Sequence, residues 1–370
     1  MAALEAFAAG GGASLSPRFS CGLVVGKFAP LHSGHELLIQ RAAGECSSLC
    51  IISWSVPEFP GCDAPRRAAW LAELFPAARR IVLTQEILTT LDPPAELALL
   101  PPNNSEPGPH RRLCAWLCER LWQCQPEAVF TSEDYGPPFA EEMTRWFRRT
   151  AADHPGVTAV AVDPGRSLLP VSGTQIRADV HGCRHLLPPL VYRDFVQRVV
   201  LLGGESTGKS TLAAALAGRL GTVFVSEYGR EFWEAKSGRL VLADMLSIAR
   251  EQLAREAAAA AAADTWLICD TSPLTTLFYS LELFGKAESS LVDLARQRYY
   301  HTFLCAPDFP FVQDGTRQAE AFRMKQDAWF RRELEAREIP WTDATGSLEH
   351  RAASAVAVLL ATHSPTFSAV

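Results

Sequence analysis

Two short stretches carry residue types whose spacing invites chemistry. "GKFAPLHSGH", Gly26 to His35, sets His32 and His35 three apart around Gly34, directly after the apolar run "CGLVV". "GGESTGKS", Gly203 to Ser210, satisfies G-x-x-x-x-G-K-[ST] between a strand-like run and the helical "TLAAALAGRL". Glycines there let backbone N–H groups converge on a phosphate, and the following helix N-terminus adds positive potential. Gly203, Gly204, Glu205, Ser206, Thr207, Gly208, Lys209, Ser210 and Thr211 are therefore expected to hold ATP. Lys209 would serve the β- and γ-phosphates, and the Ser210 hydroxyl would ligate Mg²⁺.

The histidine pair invites a zinc reading, but zinc wants three or four ligands, and the nearest candidates, Cys21 and Cys46, lack metal spacing. A phosphate site fits better. His32 would precede a helix and His35 would fall in its first turn, with Gly34 letting a ligand approach the backbone and Lys27 adding charge.

Three further segments follow the phosphate loop. "ICDTS" ends an apolar run on Asp270, where a carboxylate can organise Mg²⁺. "VFVSEYGRE" offers Glu227, Tyr228 and Arg230 for a sugar hydroxyl, with Glu227 as acceptor or general base. "FVQDGTRQAEAFRMKQ" carries Arg317, Arg323 and Lys325 on a loop entering a helix, suited to clamp a transferring phosphoryl group.

The elements that must position these residues alternate in two series. "LVVGKF", "LCIISWS", "IVLTQE", "EAVFTS" and "VTAVAV" read as strands, and helical patterns start near Ser33, in "RRAAWLAELF" and in "RRLCAWLCERLW". The series restarts at "RVVLLGGESTGKS" and runs through "TVFVSEYGR", "TWLICDTS", "HTFLCAPDF" and "IPWTDAT". Such alternation predicts an α/β protein of two domains, each a parallel sheet covered by helices. The boundaries read as a flexible tail over 1–20, a first domain over 21–190 and a second over 191–370. "EAAAAAAAD" should end a long helix. The Pro-rich stretch 92–110 is too long for a plain connection and reads as a lid, a binding loop or disorder. "HGCRH", with His181, Cys183 and His185, is the one local metal-like cluster and reads as linker.

A length of 370 residues favours two domains. The net charge of -6 argues against a general nucleic-acid or anionic-membrane binder. With no apolar run of membrane length and no basic n-region, a cytoplasmic protein is expected. Its ten scattered cysteines then read as buried free thiols. Only five of the 35 basic residues are lysines, and Lys27 and Lys209 are two of them.

"GKFAPLHSGH" resembles the G-x-F-x-P-x-H-x-G-H signature of the nucleotidylyltransferase superfamily, and "PVSGTQIR", Pro170 to Arg177, resembles its second signature. That resemblance assigns Gly26, Lys27, Phe28, His32 and His35 to ATP, and Ser172, Thr174 and Arg177 to its β- and γ-phosphates. Arg67 in "RRAAWL" and the stretch "FTSEDYG" resemble active-site surroundings less specifically, and Trp54 and Tyr135 are candidates to stack on a nicotinamide ring. Such a domain followed by a kinase with "GGESTGKS", "EYGREF" and "DTS" resembles the NadR family, over roughly residues 21–345. The resemblance implies a ribosylnicotinamide kinase joined to a nicotinamide-mononucleotide (NMN) adenylyltransferase, acting on ATP, ribosylnicotinamide, NMN and NAD with Mg²⁺. His32, His35, Lys209, Glu227 and Asp270 would carry the catalysis. No nucleic-acid or membrane partner is expected, since only about twenty residues precede the first strand and no DNA-binding arm fits there; a homo-oligomer is left open. The rival readings are another nucleoside or vitamin kinase fused to another nucleotidylyltransferase, and a nucleotide sensor with little turnover.

Overall fold

The computed structural model describes residues 16–311 and 319–363. The chain divides into two compact units that meet between Val191 and Tyr192. In the first unit the order is β1 (Phe19–Val25), α1 (Ser33–Glu45), β2 (Cys46–Ser53), α2 (Ala64–Leu74), β3 (Arg79–Val82), α3 (Gln85–Thr90), α4 (Pro107–Trp122), β4 (Ala128–Thr131), α5 (Gly136–Phe147), β5 (Thr158–Ala161) and α6 (Gly173–Ala178). The five strands are all parallel, in the order β3-β2-β1-β4-β5.

Strand β1 begins at Phe19, two residues before the expected domain edge, because Phe19 and Cys21 face inward while Ser20 bonds Glu127. Gly26, Lys27 and Phe28 lie beyond its end, in the loop to α1. "TQE" leaves the third strand for a helix: the Thr84 hydroxyl accepts from the Ile87 N–H and caps α3. Helix α5, which sequence reading passed over between "EAVFTS" and "VTAVAV", packs Phe139, Met143 and Phe147 into the core with Leu23, Ile52, Leu113 and Leu117.

The second unit runs β6 (Gln197–Leu202), α7 (Lys209–Leu220), β7 (Val223–Val225), α8 (Tyr228–Ala235), α9 (Leu242–Ala260), β8 (Trp266–Asp270), α10 (Pro273–Phe284), α11 (Ser289–Leu294), β9 (His301–Cys305), α12 (Glu320–Ala336), β10 (Thr342–Ala344) and α13 (Leu348–Thr362). Its parallel sheet has the order β10-β9-β6-β8-β7. Strand β6 is central and apolar on both faces, as a buried parallel strand must be. Leu212 and Leu216 of α7 and Ala352 and Leu359 of α13 cover one face of it. The alanine run does end a long helix, α9.

The Pro-rich stretch is an ordered segment that packs onto its own unit. Leu97 and Leu100 are buried, the Asn103 amide donates to Ser55 Oγ and Pro57 O, and Pro107 opens α4. All ten cysteines are free thiols.

Candidate functional site

Each sheet reverses its strand order beside its central strand, and ligands bind open α/β sheets at that point, beyond the strand C-termini. In the first unit this place is a cavity of about 540 Å³. Gly26, Lys27, Phe28, His32, His35, Ser172, Thr174 and Arg177 all line it.

His32 is the N-cap of α1 and His35 sits in its first turn. Their rings stack with centroids 3.7 Å apart and 21° between planes. The His32 N–H donates to His35 Nδ1 at 3.3 Å, which leaves the neutral His35 ring with its proton on Nε2. His32 Nδ1 is buried without a hydrogen-bond partner among the described residues. Position 34 is tight: a Cβ there would stand 3.0 Å from Val171 and 3.2 Å from the His32 ring, so a larger residue would press on both side chains. Phe28 is fully buried at φ +48°, edge-on to His35 at 5.0 Å, so it contributes a wall.

Burial, with Arg166 and Arg177 nearby, lowers His32 to about 4, and burial beside His32 holds His35 well below its ordinary value. Both rings are therefore neutral donors near pH 7. Neutral imidazoles can still donate hydrogen bonds to an anion, and the cations Lys27, Arg166 and Arg177 line the same cavity. A stability consequence follows. The unfolded imidazole binds protons more tightly than the native one, so the His32 contribution is complete above about pH 6.5 and is lost as pH falls towards 4. We expect the unfolding free energy of the nucleotide-free protein to drop across that window by up to about 3 kcal/mol from His32, read in chemical denaturation. His32→Gln should flatten the drop, and an unchanged profile would mean that His32 titrates normally.

Arg177 joins the two signatures. It donates through Nη1 to Ala29 O and through Nη2 to Thr174 Oγ1 at 3.1 Å, and it lies 4.0 Å over the Phe59 ring. The Ser172 hydroxyl accepts from the Gln175 N–H and caps α6.

Arg67 does not line the cavity. Fully buried, it donates to Cys62 O, Lys27 O and Ser53 Oγ and forks onto Glu58 at 2.6 and 2.8 Å. It is a strut that fixes the backbone of Lys27. Arg67→Ala should therefore lower stability by about 3 kcal/mol, since it leaves a cavity and deprives the Cys62, Lys27 and Ser53 acceptors of their Arg67 donor, while the half-exposed Glu58 carboxylate regains water. A loss under about 1 kcal/mol in chemical denaturation would contradict this.

Trp54 and Tyr135 both face the cavity, Trp54 stacked on His110 at 5.4 Å with its Nε1–H donating to Pro101 O. Sequence reading missed Asn103, His110, Arg111 and Arg166 as lining residues. Three of them belong to the Pro-rich segment or to the first turns of α4, which no motif announces.

In the second unit a cavity of about 240 Å³ opens beside the phosphate loop. Gly203 (φ +142°) and Gly208 (φ +77°) take the left-handed conformations of the loop. Gly204 was expected to share that role. Its constraint is instead close approach, because a Cβ would stand 2.7 Å from Arg323 O. Thr207 Oγ1 donates to Gly204 O, and Lys209 Nζ donates to Gly203 O at 3.0 Å and Gly204 O at 2.9 Å. The Glu205 N–H donates to Gln326, and the Tyr279 hydroxyl donates to the Glu205 carboxylate. Ser206 takes φ +56°, while Ser210 and Thr211 open α7 with exposed side chains.

Glu205, Lys209, Glu227 and Arg230 line the cavity with Trp233, Met245 and Tyr279. Burial raises the Glu227 pKa above its usual range, against the opposing pull of Lys209. Asp270 ends β8 almost fully buried, and its Oδ1 has no hydrogen-bond partner among the described residues. A free carboxylate oxygen there, with the Ser210 hydroxyl, fits a hard, oxygen-preferring cation such as Mg²⁺.

Three expectations change. Tyr228 turns away from the cavity: its ring lies under the Arg255 guanidinium at 4.2 Å and against Phe232. Arg323 is buried against the loop, donating to Phe309 O and pairing with Glu320, and Lys325 pairs with Glu282 at 2.6 Å. Neither is a free lid cation. Arg317 lies outside the described residues.

A family profile described as an AAA domain matches residues 198–351. The Escherichia coli (strain K12) "Trifunctional NAD biosynthesis/regulator protein NadR" is 29% identical over 322 residues, 80% of this chain and 71% of its own length. Its Salmonella typhimurium counterpart is 28% identical over 327 residues, with the same coverage of both chains. Among solved structures, a NadR protein in complex with NR superposes with TM-score 0.66 at 20% identity, covering 92% of this chain and 95% of that one. A NadR protein in complex with NAD and AMP-PNP superposes with TM-score 0.67 at 18% identity, with equal coverage. Along both of its halves, the chain is a relative of the NadR proteins.

Proposed function

We propose that the chain is a two-site enzyme of NAD salvage. The second unit phosphorylates ribosylnicotinamide with ATP to give NMN, and the first adenylylates NMN with a second ATP to give NAD and pyrophosphate. The reading is carried by one observation: a histidine-capped phosphate cavity and a phosphate-loop cavity occur in one chain, in the order of its NadR relatives.

In the kinase step Glu227 accepts the proton of the 5′-hydroxyl as its oxygen attacks the γ-phosphorus, and ADP leaves. Its raised pKa suits that task. Lys209 meets the charge that develops on the β/γ oxygens, and the loop N–H groups and the N-terminus of α7 hold the phosphates. Bound Mg²⁺, which Ser210 and Asp270 would hold, supplies charge neutralisation across the β- and γ-phosphates. Arg230 orients the nucleoside. The cavity wall carries the cations Lys209 and Arg230 as well as two carboxylates, so any preference for a cationic acceptor is local to its Glu205 and Glu227 side. Asp270 adds its field to that of Glu227, and Trp233 offers an aromatic face. A cationic nucleoside such as ribosylnicotinamide suits those groups.

In the adenylylation step an NMN phosphate oxygen attacks the α-phosphorus of ATP and pyrophosphate leaves, so no covalent enzyme intermediate is needed. The His32 and His35 N–H groups, with Lys27 and Arg177, hold the donor phosphates in line. The protein works in the cytoplasm, where ATP is abundant; no helix among the described residues is long and apolar enough to cross a membrane.

The test is acceptor choice. With Mg-ATP, ribosylnicotinamide should exceed adenosine, uridine and the uncharged dihydro form of ribosylnicotinamide in kcat/KM by about tenfold or more. Preference for a neutral nucleoside would overturn the assignment of substrate.

A further inference from the structure

The thiols of Cys21, Cys50 and Cys124 form a near-equilateral triangle in the core of the first unit, with Sγ–Sγ separations of 3.7, 3.8 and 3.9 Å. Cys21 comes from β1, Cys50 from β2 and Cys124 from just beyond α4, so the group joins residues 103 positions apart. A fourth thiol, Cys118 in the last turns of α4, is near Cys50 and Cys124. It lies outside the group whose sulfurs are all within 4.8 Å of one another, so it must swing inward to serve as a fourth ligand. The chain bends to bring Cys124 in. Gln123 takes the left-handed conformation (φ +50°), uncommon for a residue with a side chain, and the Cys124 N–H then donates to Cys118 O. Arg79 donates to Trp122 O two residues away, placing a cation beside the group.

Metal–thiolate bonds are about 2.3 Å long, and four sulfurs arranged tetrahedrally at that length lie about 3.8 Å apart. A triangle of that edge has its centre about 2.2 Å from each sulfur, which also fits a three-coordinate ion in the sulfur plane. Among the described residues no nitrogen or carboxylate oxygen joins the cluster, so its donor set is soft throughout. Cys21 and Cys50 are buried, while Cys124 keeps some exposure and offers an entry path.

We propose that Cys21, Cys50 and Cys124 bind one soft d¹⁰ metal ion, zinc(II) with Cys118 as fourth ligand or copper(I) in the plane of three. Binding displaces the thiol protons to solvent and forms metal–sulfur bonds, with no change of oxidation state. The site ties the C-terminal end of α4 to β1 and β2, and the first turns of the same helix, at His110 and Arg111, wall the nucleotide cavity. Its role is therefore to hold that wall.

The experiment uses the full chain, stripped of metal under reducing, anaerobic conditions and titrated with Zn²⁺, with Co²⁺ as the optical reporter of tetrahedral thiolate binding, and separately with Cu⁺. One equivalent should bind and raise the thermal midpoint. Cys124→Ala should lower the affinity about 100-fold or more, while Cys183→Ala, remote in sequence from these cysteines, should leave it unchanged. Loss of Zn²⁺ in Cys118→Ala identifies the four-thiolate site, and Cu⁺ retained in Cys118→Ala identifies the planar one. Circular dichroism of each variant separates lost ligation from lost folding. Absence of one-equivalent binding by either ion, binding unchanged in a folded Cys124→Ala, or a disulfide among these cysteines in the reduced preparation would overturn the proposal.

Discussion

Replacing Lys209 by alanine is expected to lower ribosylnicotinamide phosphorylation by about 10²–10³-fold while leaving the conversion of added NMN to NAD nearly intact. The ammonium lies over the loop, against Gly203 O and Gly204 O, where β- and γ-oxygens gain charge during transfer. Nothing in adenylylation calls on it. His35→Ala should do the reverse: NMN accumulates and is not carried to NAD, with a loss of about 100-fold. Lys209→Ala should lower stability by no more than about 1 kcal/mol, because its side chain bonds only loop carbonyls. His35→Ala should cost somewhat more, because His35 stacks on His32 and accepts its backbone N–H. Zinc content is a useful companion measurement, since any metal the chain holds should survive His35→Ala. If either substitution abolished both activities in a folded protein, the two reactions would share a site.

Glu227 carries the second large effect. Glu227→Ala should reduce kcat/KM for the nucleoside by about 10- to 150-fold, with a much smaller change in KM for ATP, because the carboxylate lines the cavity proposed for the nucleoside. The pH profile separates base from binder. Burial holds the Glu227 pKa above 4.5, so the kinase rate should rise with pH through a group above that value. Glu227→Gln should remove this acid limb and lower kcat, because the amide cannot take the proton. If Glu227→Gln keeps both kcat and the limb, Glu227 is a structural acid and the base lies elsewhere.

What sequence could reveal followed from how local the information was. The parallel sheets were legible because buried strands carry unbroken apolar runs such as "LVV" and "WLIC". The two candidate phosphate sites were legible as motifs because glycine, histidine and lysine spacing is fixed within ten residues. Contacts across long separations were not. Arg67 in "RRAAWL" resembles part of the active-site surroundings, yet its partners Glu58, Ser53 and Lys27 O come from other segments and place it as a strut. Tyr228 follows Glu227 directly, but α8 begins there and turns successive side chains by about 100°, which sends the ring to Arg255. Lys325 was read as a lid cation, and only the fold reveals Glu282 opposite it. The Pro-rich segment carried no periodic pattern, and its part in the cavity depends on Asn103 bonding Ser55 and Val56.

The central claim is that one chain carries ribosylnicotinamide through NMN to NAD. Its most direct test is to incubate the full chain with Mg-ATP and isotopically labelled ribosylnicotinamide and to separate the products over time. Labelled NMN should rise first and labelled NAD should follow, with ADP matching total nucleotide product and pyrophosphate matching NAD. ATP bound without either labelled product, or NAD formed only when NMN is supplied, would contradict the account.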